Sequence, residues 1–183
     1  MRLFFAVFFE KKVLEALADN QERIKNYGIK GRFVRKNKLH LTLKFLGEVE
    51  ENKLDQIKQS IDSKKIKSFE LTLSNLGVFP PKGRPRIVWQ GLEGEREEDT
   101  KEVFKLKETI ENGMEKLGFE REKRKFKPHI TLVRDPKNIT REGLDDVKVK
   151  RVNTKVNSFS LMSSELTKKG PIYDEVCRYE LRD

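Results

Sequence analysis

The stretch "KLHLTLKFLGEV", Lys38–Val49, decides how this chain folds, because it is written twice. It returns as "KPHITLVRDP", Lys127–Pro136. The chain has 2 histidines, His40 and His129, which lie 129 − 40 = 89 residues apart. Each is followed by an apolar residue, a threonine and a leucine. With 8 threonines in 183 residues and 36% hydrophobic residues, that sequel follows a given histidine about once in two hundred times by composition alone. Two out of two implies a duplicated element or a paired site. The alternation of Leu39, Leu41, Leu43 and Phe45 with His40, Thr42 and Lys44 is that of a half-buried strand. It predicts His40 and Thr42 on the open face and the apolar set, Phe45 included, in the core.

Working outward, a second repeat appears. "SFELTLSNL" starts at Ser68 and "SFSLMSSEL" at Ser158, an offset of 158 − 68 = 90, with five of nine positions shared. Leu3–Phe9 is an apolar run suited to a strand buried on both faces. Val13–Tyr27 reads as a helix closed by Gly28. Leu39–Leu46 is the first histidine strand, and Leu54, Ile57 and Ile61 mark a second helix. Strands at Ser68–Leu76 and Arg86–Leu92 flank the turn-rich "GVFPPKGRP". The charged "EGEREED", Glu93–Asp99, separates the halves. Val103, Leu106, Ile110, Met114 and Leu117 define the clearest helix, ended by Gly118. His129–Val133 is the second histidine strand. A short helix at Thr140–Val147 and strands at Lys155–Met162 and Tyr173–Leu181 complete the order. The chain therefore reads as an α+β protein of two duplicated αβαββ units, with antiparallel sheets facing a central cleft. The domain spans 1–183, with lobes at 1–92 and 99–183, and the period is too long for a solenoid.

Composition narrows the function. The net charge is 40 − 30 = +10, which favours polyanionic partners, nucleic acid above all. Charged residues reach 38%, as on a heat-adapted surface. Cys177 is the only cysteine, which excludes an internal disulfide and a thiolate metal cluster. The run Leu3–Phe9 is too short to span a membrane and lacks a signal peptide's cleavage region. The expected location is cytoplasmic and the expected state monomeric, with no membrane partner.

Two imidazoles on rigid strands suit acid–base chemistry. Histidine titrates near neutrality, so one ring can accept a proton while the other donates one. In-line transfer at phosphorus needs this pair on opposite sides, with hydroxyls and a cation holding the non-bridging oxygens. The plain alternatives are packed or surface histidines, or a relic of duplication. Two histidines without a carboxylate partner make a poor zinc site, so no metal or cofactor is expected.

The paired motifs His40–Leu43 and His129–Leu132 resemble those of the 2H phosphoesterase superfamily. "MRLFFAVFF", "LHLTLKFLGEV", "GVFPPKGRPRIVW", "FKPHITLVR" and "LMSSEL…GPIYDEV" are similar, in order and spacing, to its LigT-like branch, the archaeal and bacterial RNA 2′,3′-cyclic phosphodiesterases formerly called 2′-5′ RNA ligases. The resemblance covers nearly the whole chain. It implies a two-lobed fold and metal-independent hydrolysis of a terminal 2′,3′-cyclic phosphate to a 2′-phosphomonoester. Substrates would be RNA ends, tRNA among them, or nucleotides. His40 matches the family's proton donor, His129 its proton acceptor, and Thr42, Thr131 and Arg134 its phosphate-binding residues. The near-symmetric motifs do not themselves separate acid from base. Arg134 lies five residues past His129, so it reaches the cleft only if the strand ends or bulges near Val133. Lys44, Arg84, Arg86 and Tyr173 are further RNA-binding candidates; Phe45 or Tyr173 could stack a base, with core packing the better reading for Phe45, and Trp89 is assigned to packing. Reverse ligation and a non-catalytic nucleotide- or RNA-binding module are the competing functions.

Overall fold

The structure is a computed structural model and describes residues 1–139, 141–168 and 170–183. Along the described chain run β1 (Arg2–Phe8), α1 (Lys11–Asn26), β2 (Lys30–Phe33), β3 (His40–Glu48), α2 (Leu54–Gln59), β4 (Phe69–Phe79) and β5 (Ile87–Gly94). They are followed by α3 (Glu97–Lys116), β6 (His129–Lys137), α4 (Arg141–Asp145), β7 (Asn153–Val156), β8 (Ser158–Thr167) and β9 (Gly170–Glu180). The order matches the sequence reading, with two differences. A short β2 precedes the first histidine strand, and the strand expected at Lys155–Met162 is two, divided at Asn157. Thr140, the expected start of the fourth helix, lies outside the described residues.

The strands form a single antiparallel sheet in the order β7-β4-β5-β6-β3-β1-β8-β9, and β2 pairs with β6 beyond β3. The two sheets expected from the duplication are thus joined, through one rung between Leu41 of β3 and Ile130 of β6. The repeats also interleave. β5, from the first repeat, pairs with β6 of the second, while β8, from the second, pairs with β1 of the first.

One face of the sheet carries the core. Leu3, Phe5 and Val7 of β1 point there with Val13, Leu17 and Ile24 of α1 and Val103, Leu106, Ile110 and Met114 of α3. Each such side chain contributes about 1.5–3 kcal/mol when fully buried. The other face of β1 holds Phe4 and Ala6 in a satellite cluster with Met162 and Tyr173. β1 is therefore apolar on both sides, as its unbroken hydrophobic run requires.

Both histidine strands bulge at the same place. Opposite β1, Ala6 pairs with Thr42 but Phe5 with Lys44, leaving Leu43 as an extra residue. Opposite β5, Trp89 pairs with Thr131 but Val88 with Val133, leaving Leu132 extra. Each bulge comes three residues after its histidine and reverses the parity of the residues beyond it. Lys44 and Val133 are consequently buried, while Phe45 and Arg134 turn to the histidine face. The expectation that Phe45 packs in the core is corrected: it is 61% exposed. Gln21 of α1 stabilises the second bulge, its amide donating to the carbonyls of Leu132 (2.9 Å) and Val34 (2.8 Å).

Lys44 is corrected too. It is no RNA contact, because its ammonium is sealed beneath the sheet, 2.6 Å from Glu111 of α3. It also donates to the Glu120 carbonyl at 2.8 Å, and Lys107 pairs with the other Glu111 oxygen. Glu111 is held below the usual carboxylate range; burial would raise it, but the two lysines overcome that. Removing the shared anion would leave two buried ammonium groups unpaired. Glu111→Ala should therefore cost about 3–5 kcal/mol in denaturant unfolding, and Lys44→Met clearly less. A loss below about 1 kcal/mol for Glu111→Ala would show the cluster to be dispensable.

Candidate active site

The Leu41–Ile130 rung places the two motifs across from each other in antiparallel register. One step along the ladder in either direction sets His40 against Thr131 and Thr42 against His129. All four share the face opposite the core, since Leu41, Leu43, Ile130 and Leu132 are buried on the other. The local two-fold axis of the repeats runs through this rung.

Each imidazole is oriented by the same device. His40 Nδ1 lies 2.7 Å from the Lys38 carbonyl, and His129 Nδ1 lies 2.6 Å from the Lys127 carbonyl. A carbonyl only accepts, so Nδ1 carries a proton in both rings and Nε2 is the atom left for chemistry. A neutral ring then offers a lone pair at Nε2, and a protonated ring offers a proton there. Lys38 and Lys127 were not among the sequence candidates, although the repeated Lys-x-His spacing was in plain view.

Aromatic rings surround both histidines. His40 sits 5.3 Å from Phe4, 5.2 Å from Phe8 and 5.5 Å from Tyr173, the last edge-on. His129 sits 5.1 Å from Phe79, also edge-on, and 5.9 Å from Trp89. Trp89 packs as expected, flat over Gly77, where a Cβ would come within 2.1 Å of the indole. Lys127 Nζ lies 4.3 Å from the indole centroid, a cation–π contact.

Burial lowers both histidines. It pushes His40 to about 4, aided by the charges of Arg134 and His129 and opposed by the Lys38 carbonyl. His129 is lowered by burial and by the Lys127 charge, against the Lys127 carbonyl. Both rings are thus neutral at pH 7 when no anion lies beside them, and an anion between them would draw protons back.

The structure brings His40, Thr42, His129, Thr131 and Arg134 onto one face. Arg134 reaches toward the His40 end, where its charge acts on both His40 and Tyr173. Tyr173 packs on Phe4 at 5.1 Å and lines the same end. Arg84 and Arg86 are exposed on the loop between β4 and β5, whose neck closes through Arg86 N–H to the Phe79 carbonyl at 2.8 Å. Among the described residues no three His, Cys, Asp or Glu side chains gather as a metal site would require.

Comparison with known proteins gives a consistent result. A family model described as LigT-like phosphoesterase matches residues 7–89 and 95–173. The RNA 2′,3′-cyclic phosphodiesterase of Archaeoglobus fulgidus is 34% identical, the match covering 98% of this chain and 100% of that protein. The protein of the same name from Aeropyrum pernix is 34% identical over 91% of this chain and 94% of its own. Among solved structures, TT0787 of Thermus thermophilus superimposes with TM-score 0.78 at 31% identity, covering 100% of this chain and 98% of that one. The LigT of E. coli, solved with 3′-AMP, gives TM-score 0.77 at 26% identity, covering 100% and 98%.

The lowered histidines have a checkable consequence. In phosphate-free buffer, imidazole NMR should show His40 titrating near 4, His129 below 6.5, and both neutral rings protonated at Nδ1. Inorganic phosphate should raise both. Between about 6.5 and 4 the unfolded chain binds protons that the folded chain refuses, so stability falls as pH falls through that window. His40→Asn should flatten the decline. Either ring titrating above 6.5 without an anion would contradict this account of the site.

Proposed function

The chain belongs to the LigT-like phosphoesterase family, and from that premise we propose that it hydrolyses the 2′,3′-cyclic phosphate at RNA 3′ ends to a 2′-phosphomonoester. The observation that carries the reading is the pair of Nδ1–carbonyl bonds, which leave an Nε2 from each half of the sheet for proton transfer. In this mechanism His129 Nε2 takes a proton from water as its oxygen attacks phosphorus. The P–O3′ bond breaks on the opposite side, and His40 Nε2 gives O3′ its proton. One water is consumed, and the proton taken by His129 returns to solvent as His40 is reprotonated. The donor and acceptor labels follow the family's assignment.

Thr131 stands across from His40 and Thr42 across from His129, which suits their hydroxyls to the non-bridging oxygens. Arg134 offsets the charge that builds on them. The substrate's negative charge also resolves the low affinity of His40 for protons, because the phosphate itself favours the imidazolium that must act as acid.

The whole chain, 1–183, acts as one phosphoesterase domain. The proposed setting is cytoplasmic, with the protein monomeric and with tRNA ends among its RNA substrates. No helix of the described residues is long and apolar enough to cross a membrane.

Mixing the protein with a 2′,3′-cyclic nucleotide should yield the 2′-monophosphate, with a bell-shaped pH–rate profile and full activity in EDTA. His40→Ala and His129→Ala should each lower kcat by about 10²- to 10⁴-fold. The double variant should lose less than the product, since half of a concerted pair achieves little alone. The acidic limb should vanish with the base and the alkaline limb with the acid. Normal turnover by either variant, or activity lost to EDTA and restored by zinc, would overturn the mechanism.

A further inference from the structure

The proposed direction of proton transfer also fixes where the RNA must go. If His40 protonates O3′, the ribose lies on the His40 side of phosphorus and the attacking water on the His129 side. The chain continues from that ribose through its 5′ oxygen, so the next phosphate must be met beyond His40. On that side the cleft floor is Phe4 and its wall is Tyr173.

Cross-strand register sets three residues in a row there. Arg2 of β1 pairs with Ser164 of β8, and Ser164 with Tyr173 of β9. Arg2 shares the cleft face with Phe4 and Ala6 by strand alternation, and Ser164 shares it with Met162. Arg2 is exposed and has no carboxylate within ion-pair distance among the described residues. Glu48, opposite it on β3, lies 3.6 Å from the amino terminus instead. Glu175 is occupied by the Ser160 hydroxyl at 2.6 Å. A guanidinium with no carboxylate partner among the described residues, set by register beside two hydroxyls at the mouth of the phosphate cleft, is placed to meet an anion. The charges of Arg2 and Arg134 both act on the Tyr173 hydroxyl.

We propose that Arg2, Ser164 and Tyr173 form a second phosphate subsite, which holds the phosphodiester on the 5′ side of the terminal nucleotide. The inference rests on the functional reading above, with His40 as donor. It makes the enzyme bind chain ends more tightly than free cyclic nucleotides. The opposite exit would run past His129, where Trp89, Lys127, Phe79 and Asp145 border a cavity of about 200 Å³.

Binding can test the subsite separately from turnover. Adenosine 2′,5′-bisphosphate should bind about tenfold more tightly than adenosine 2′-monophosphate, as expected for one charge-assisted phosphate contact. Arg2→Gln should bring that ratio close to one, and Lys127→Gln should leave it near ten. The same two ligands titrated against salt should differ in slope by about 0.7 in the wild type. Equal affinities in the wild type would overturn the subsite. So would a ratio that survives Arg2→Gln or one that collapses in Lys127→Gln. If the ratio behaves as expected but no cyclic phosphate is hydrolysed, the subsite stands and the catalytic reading falls.

Discussion

The site depends on one rung of backbone pairing. Leu41 against Ile130 is where the two halves of the sheet meet, and it places the histidine of each motif against the threonine of the other. Had the register slipped by one residue, every side chain of one strand would change face. The buried leucines on both strands forbid that, because a slip would exchange Leu41 and Leu43 for His40 and Thr42 in the core. The hydrophobic effect thus holds the relative position of the polar pair. The carbonyls of Lys38 and Lys127 then fix the ring orientation, and burial among the aromatic collars lowers the basicity of both rings.

The duplication is symmetric in backbone but not in chemistry. Two residues past each bulge stands Phe45 in one repeat and Arg134 in the other, on the same face and at the same distance from its histidine. The antiparallel crossing sends Arg134 toward His40, so the one cation of this pair lies on the proposed leaving-group side. Position four after the histidine diverges as well. Val133 is at home in the core, whereas Lys44 needs Glu111, Lys107 and the Glu120 carbonyl around it. That cluster also ties the first histidine strand to α3 and to the segment leading to Lys127.

Much of this was legible in the sequence. His40, Thr42, His129 and Thr131 stood out because a period of two and a rare residue pair coincide, and the element order followed from hydrophobic spacing. Phe45 and Lys44 were placed on the wrong faces for a single reason. A bulge is a property of pairing between strands, and the alternation "LHLTLKF" contains no mark of it. For Arg134 the same bulge was foreseen as a condition, since the phosphate-binding role that the resemblance implied for it required a face that regular geometry denied. The pairing of β5 with β6 and of β8 with β1 across the repeats was beyond reach, because each is an apolar strand that either neighbour would satisfy. Arg2 went unremarked for a similar reason, as one charged residue at a strand start has no meaning until Ser164 and Tyr173 are beside it.

The central claim is that two imidazoles act on opposite sides of one phosphorus in a single in-line displacement. Hydrolysis of a 2′,3′-cyclic phosphorothioate of known configuration in ¹⁸O-labelled water reads this directly. A single displacement predicts inversion at phosphorus, with the label in the 2′-phosphorothioate product and the 3′-hydroxyl unlabelled. Retention would reveal two displacements through a covalent enzyme intermediate and would contradict the acid–base pair.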